Sequence, residues 1–220
     1  MKKIAIVCGG YSGEYEISVK SAKVVKAHLN SEEYDSYVIV IQKDNWYHLS
    51  DDGIQTSVDK NDFSVTLNGR KILFDGIFNA IHGVPGEDGQ LLGYFEMLGL
   101  PYTSSNFTTS ALTFHKEFCK TIAAAAGANI SPAVVINKGE KYNKTKIIKT
   151  LGLPLFIKPT RNGSSVGVTK VHNEEEFDMA VEKAFSAGDQ AMCEKFVKGR
   201  ELACTVMSVK GKTMVFPVTE

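Results

Sequence analysis

Three loops in this chain combine glycines with side chains able to hold charge: residues 9–14 (GGYSGE), 82–89 (HGVPGEDG) and 158–167 (KPTRNGSSVG). The first follows an apolar run and opens a helical pattern, so its backbone N–H groups could hold an anion. Its glycines do not follow the G-x-G-x-x-G spacing of a dinucleotide site, and Glu14 puts a carboxylate where a pyrophosphate would prefer none. A carboxylate there suits an ammonium group; the plainer alternative is a tight turn whose Glu14 faces the helix dipole. The third loop joins two strand-like runs, which excludes a P-loop, since that motif needs a following helix. Gly163 and Gly167 free the backbone, Ser164 and Ser165 add hydroxyl donors, and Lys158 and Arg161 add positive charge. That content suits phosphate, with a solvated hairpin loop as the alternative. His82 opens the second loop; the other histidines (His28, His48, His115, His172) read as surface or satisfied core residues.

Strands and helices must position these loops. Residues 2–8, 37–41 and 76–81 read as buried strands. Ile17, Val24, Val25, Ala27 and Leu29 recur at roughly helical spacing, and residues 90–98 form a helix with Gly99 past its end. Residues 46–49 and a run turning at Asn68-Gly69 read as peripheral hairpin structure. This alternation predicts an α/β fold whose first domain (1–104) is an open, mostly parallel sheet. From about residue 105 the texture changes to α+β. Ser110 is read as the cap of a helix through residue 126, and Asn173 with Glu176 as a capping box for a helix through residue 185. Further strands are read at 153–159, 166–171, 192–197 and 201–209, with Gly211 in a turn after them.

The 220 residues carry 25 Lys plus Arg against 25 Asp plus Glu, a formal net charge of zero. That balance gives no reason to expect a nucleic acid partner. No apolar run approaches the ~20 residues of a membrane span, and the apolar stretch 4–8 is too short for a signal peptide. Cys8, Cys119, Cys193 and Cys204 lack the paired spacing of zinc ligands or a disulfide framework, and read as small apolar residues of a cytoplasmic protein.

In order, GGYSGEYEISVKSA, HGVPGEDGQLLGYFEMLGLPYTSS, SALTFHKEFCK, LGLPLFIKPTRNGSSVGVTKV and EKFVKGRELACTV resemble the D-alanine–D-alanine ligase family of ATP-grasp enzymes over nearly the whole chain. The resemblance implies an N-terminal α/β substrate domain (1–104), a central ATP-grasp domain (105–199) and the beginning of a third domain (200–220). It implies ATP-dependent joining of two D-alanines through an acyl phosphate, for peptidoglycan precursor synthesis. Sister ligases that make D-alanyl-D-lactate or D-alanyl-D-serine are the alternatives, as is a non-catalytic nucleotide- or amino-acid-binding module.

By the same resemblance Glu14 and Ser164 are catalytic, and Glu14, His82 and Ser164 bind the first D-alanine. Lys116, Lys158 and Ser165 are placed at the ATP phosphates, Glu194, Lys195 and Val197 at adenine, and Glu201 at the ribose. Leu92, Ser105 and His115 depart from the residues common at their positions: glutamine, glycine and aspartate. The Mg2+ ligands, with a loop tyrosine and an arginine, are expected beyond residue 220. The chain is therefore expected to hold no metal and to be inactive alone. A homodimer through the N-terminal domain is also implied.

Overall fold

The computed structural model describes residues 1–163 and 165–220. Seven strands form the first sheet: β1 (Lys2–Gly9), β2 (Tyr34–Ile41), β3 (Trp46–Leu49), β4 (Gln55–Asp59), β5 (Ser64–Leu67), β6 (Arg70–Ile72) and β7 (Gly76–Asn79). Their order is β6-β5-β4-β3-β2-β1-β7. Only β1–β2 and β1–β7 pair in parallel; every other neighbour is antiparallel. The sheet is therefore mixed and not mostly parallel. Short connections after β2 through β5 leave no room for crossover helices, so those strands fold back as hairpins. The Asn68-Gly69 turn has positive φ at both residues (52° and 73°), as a two-residue hairpin turn requires.

β1 lies at the centre of the parallel part and is buried on both faces. Ala5 and Val7 point to one side, where they pack with Ile39, Ile41, Phe63 and Phe95 beneath α2 (Gln90–Met97). Ile6 and Cys8 point to the other, beneath α1 (Tyr15–His28). The face of α1 differs from the one its apolar residues predict. Ile17 and Val24 are more than half exposed, and the helix buries Ser18 and Ala22 instead. Ser18 explains the choice. Its hydroxyl donates to the Ala80 carbonyl (2.7 Å) and accepts from Gly9 N–H (2.9 Å), so small residues bring α1 close to the strand ends. Each such bond contributes about 1 kcal/mol net and would cost more if left unmade.

The second sheet contains β8 (Ala133–Asn137), β9 (Leu155–Pro159), β10 (Thr169–Val171) and β11 (Gln190–Lys195), antiparallel throughout in the order β10-β9-β11-β8. One face packs on α5 (Lys144–Leu151) and α6 (Phe177–Phe185) around Leu155, Ile157, Phe177 and Cys193. Asn173 accepts from Glu176 N–H (3.1 Å), and Glu176 reaches back to His172 N–H (2.8 Å), one residue before the cap, so a variant of the capping box opens a 3-10 turn (Glu174–Glu176) that leads into α6.

The helix expected from Ser110 is instead two helices, α3 (Phe107–Phe114) and α4 (Lys116–Ala125), separated at His115, whose backbone is extended. Asn106 is the true cap, accepting from Thr109 N–H (2.8 Å). Ser110 lies inside α3, buried against Ser105. The last two strands, β12 (Val206–Val209) and β13 (Lys212–Val215), form an exposed hairpin.

Candidate active site

The loops at the C-terminal ends of β1 and β7 are knitted together by backbone contacts. Tyr11 N–H donates to the Val84 carbonyl (2.8 Å), and the Ser12 hydroxyl donates to the His82 carbonyl (2.9 Å). Gly10 is required here. Its φ is +97°, and a Cβ on it would come within 2.9 Å of the Val84 oxygen. Ser12 also accepts from Glu14 N–H (3.2 Å), and the His82 Nε2 lies 3.1 Å from the Ser21 hydroxyl on α1. Glu14 and His82 are thus held on one frame.

On the face of the second sheet opposite α5 and α6, side chains line a cleft of about 500 Å3. It gathers Lys116, Lys158, Ser165, Glu194, Lys195, Val197 and Glu201, all seven residues expected around ATP. Strand register explains part of this. Phe156 and Lys158 alternate with the core residues Leu155 and Ile157, and Glu194 pairs with Phe156 across the sheet. Lys158 and Glu194 are therefore diagonal neighbours on one face. Lys158 Nζ donates to Glu194 Oε2 at 2.5 Å. Lys116 begins α4 and donates from Nζ to the Asn162 carbonyl (2.6 Å) in the glycine–serine loop. That loop is tight: Ser165 has φ +58°, with Val166 N–H bonded to Gly163 O and Val168 N–H to Ser165 O. Ser164 falls outside the described residues.

The cleft is charge-matched. Burial pushes the Glu194 carboxyl up, but hydrogen bonds from Lys120 and Lys158 outweigh it and hold the group below the usual glutamate value. Burial and the neighbouring Lys158 charge lower Lys116. Lys120 was not among the expected residues. It sits one turn after Lys116 on α4, binds Glu194 Oε1 and donates to the Ser131 carbonyl (2.6 Å). The signal for it was the i, i+4 spacing of two lysines on a helix face.

The two centres meet at Gly163, where an added Cβ would stand 3.2 Å from Glu14 Oε2. An ammonium-suited carboxylate thus adjoins a lysine-lined cleft where the loop passes it at Gly163, a residue without a side chain. Among the described residues no three His, Cys, Asp or Glu come together to hold a metal. No helix there is long and apolar enough to cross a membrane.

Residues 3–105 match the family described as D-ala D-ala ligase N-terminus, and residues 122–220 match D-ala D-ala ligase C-terminus. The chain belongs to the D-alanine–D-alanine ligase family. It is 43% identical over 220 residues to the D-alanine–D-alanine ligase of Flavobacterium johnsoniae, covering all of this chain and 68% of that protein. With the Phocaeicola vulgatus ligase it shares 41% over 219 residues, again covering 68% of the relative. Among solved structures, D-alanyl-alanine synthetase A from Vibrio cholerae superposes with a TM-score of 0.88 at 29% identity, over 99% of this chain and 66% of that one. The VanG D-Ala:D-Ser ligase from Enterococcus faecalis gives 0.83 at 31%, over 99% and 68%. The D-alanine–D-alanine ligase of Bacillus anthracis complexed with ATP gives 0.73 at 26%, over 93% and 62%. The chain spans about two thirds of the length of the relatives it matches.

Proposed function

We propose that this chain supplies the first-substrate site and the nucleotide cleft of an ATP-dependent ligase that joins two D-alanines, serving peptidoglycan precursor synthesis in the cytoplasm. The observation that carries the proposal is the cleft that gathers seven nucleotide-suited residues beside the Glu14 carboxylate. In this reading residues 1–104 form the substrate domain, 105–199 the central domain and 200–220 the start of a third, and the enzyme works as a homodimer.

Glu14 takes the ammonium of the first D-alanine, with His82 beside it and Ser164 completing the contact from the glycine–serine loop. Lys116 and Lys158 meet the ATP phosphates as point charges, with Ser165 adding a donor. Glu194, Lys195 and Val197 border adenine, and Glu201 takes the ribose hydroxyls. A carboxylate oxygen of the first D-alanine then attacks the γ-phosphorus, the bond to ADP breaks, and an acyl phosphate forms. The amine of the second D-alanine attacks the acyl carbon, loses a proton, and phosphate leaves. The chain's part is positioning and charge neutralisation. Magnesium ions would shield the phosphate charge; their ligands are assigned to a part of the enzyme outside this chain.

Joining this chain to the C-terminal third of the F. johnsoniae relative should give D-alanine-dependent phosphate release from ATP and D-alanyl-D-alanine as product. The 220 residues alone should release none. Absence of D-alanine-dependent turnover in the fusion would sink the proposal, and release by the chain alone would sink the division of labour. The likeness to a D-Ala:D-Ser ligase supports a second reading of the acceptor, which offering D-serine and D-lactate in the same assay decides.

A further inference from the structure

His115 is the single residue between α3 and α4, and it is buried at 3% exposure with its ring stacked on Phe118 (centroids 3.9 Å apart). A chain of hydrogen bonds fixes where its proton sits. The Glu140 carboxylate only accepts, so Asn137 turns its Nδ2 toward it (2.8 Å). Asn137 Oδ1 is then left to accept from Gln190 Nε2 (2.8 Å). Gln190 therefore presents Oε1 to both remaining neighbours, the Thr160 hydroxyl (3.1 Å) and His115 Nε2 (3.1 Å). An oxygen there can only accept, so His115 carries its proton on Nε2. Among the described residues its buried Nδ1 meets no hydrogen-bond partner, which an unprotonated ring nitrogen tolerates far better than a cationic N–H would.

The same network grips the residue that follows. Lys116 N–H donates to the Thr160 carbonyl (2.9 Å), and Thr160 N–H donates to the Gln190 carbonyl (3.2 Å). Gln190 thus holds the start of α4 through His115 and the end of β9 through Thr160. From those two ends come Lys116 and the loop whose Asn162 carbonyl its ammonium touches. We propose that His115 and Gln190 are positioning residues for Lys116, with His115 acting as a neutral Nε2–H donor that sets the ammonium against the glycine–serine loop. This rests on the reading of Lys116 as a phosphate-binding residue.

The charges around the ring favour the neutral form. Arg161 after β9 opposes a second proton, and Glu117 on α4 favours one weakly. Lys138, Asp189 and Asp88 line the two clefts that His115 also lines. Burial together with Arg161 holds the imidazole below its ordinary value.

The experiment uses the 220-residue chain labelled with 15N-histidine, the His115 signals being assigned by their loss in His115→Phe. Long-range 15N–1H correlations should show the Nε2–H tautomer at pH 7; an Nδ1–H tautomer or an imidazolium would overturn the proposal. Gln190→Glu keeps the ring in place but offers it a carboxylate, so His115 should take up its second proton at higher pH. An unchanged titration would also overturn it, whether or not His115→Phe folds.

Binding of inorganic tripolyphosphate separates this inference from the reading beneath it. His115→Phe should bind about fivefold to tenfold more weakly, the effect of one hydrogen bond, and His115→Gln should recover most of the loss. If Lys116→Met binds as well as the parent chain, the phosphate reading fails and takes the positioning role with it. If Lys116→Met binds weakly but His115→Phe does not, only the positioning role fails.

Discussion

Glu194 receives two ammonium groups, Lys158 from its own sheet and Lys120 from α4, while only 16% of its side chain is exposed. Removing one partner leaves a partly buried carboxylate short of a donor, so Lys120→Met should cost about 1–3 kcal/mol at pH 7 in urea unfolding. Its pH dependence has a definite sign. The folded group sits below its ordinary value, so the stabilisation is complete above about pH 4.3 and is lost as pH falls through the lower folded value. The gap between parent and variant should therefore be widest near neutrality and close in acid; a gap that widens in acid would contradict the pairing. Composition alone pointed to the glycine–serine loop and to Glu14, because glycine, hydroxyl and charge cluster there. Glu194 looks like an ordinary strand-end residue in the sequence, and only the family motif singles it out; Lys158 reads as loop charge, and the motif alone gives it a more definite place. Lys120 escaped even that, since its contact with Glu194 joins residues 74 positions apart in the chain.

At the level of elements, the break between α3 and α4 shows what local pattern misses. Ser110 resembles a cap because it precedes an apolar stretch, but Asn106 occupies the cap geometry and Ser110 is buried one turn later. Asn106→Ala should therefore lower stability by about 1 kcal/mol in chemical denaturation, the usual effect of losing a side-chain cap. A neutral result would show that α3 is held from elsewhere. The extended backbone at His115 leaves no mark in propensity; it is imposed by Gln190 and Thr160, which lie 75 and 45 residues further along the chain. The hairpin at Asn68-Gly69 and the capping box at Asn173 were legible because their chemistry is local. β8 and α5 were not picked out, since β8 is a five-residue strand with only Ile136 fully buried and α5 spans only two turns. Strand–helix alternation at β1, α1 and β2 predicts that parallel pairing continues, whereas the short connections after β2 impose antiparallel hairpins.

Across the whole molecule, the Glu14 carboxylate and the lysine-lined cleft belong to different hydrophobic cores, one around β1 and one around β9. They touch where Gly163 passes Glu14. That contact has a thermodynamic corollary. Two ligands that settle on either side of a shared loop are linked, and linkage runs equally in both directions. Whatever factor a saturating non-hydrolysable ATP analogue applies to the D-alanine dissociation constant, saturating D-alanine must apply to the analogue. Calorimetry on the fusion enzyme should return the same factor, about fivefold or more, from either order of addition. A factor of one would mean that the two ligands ignore each other across Gly163. With positive coupling of that size each ligand tightens the binding of the other, so the cleft would fill as a pair.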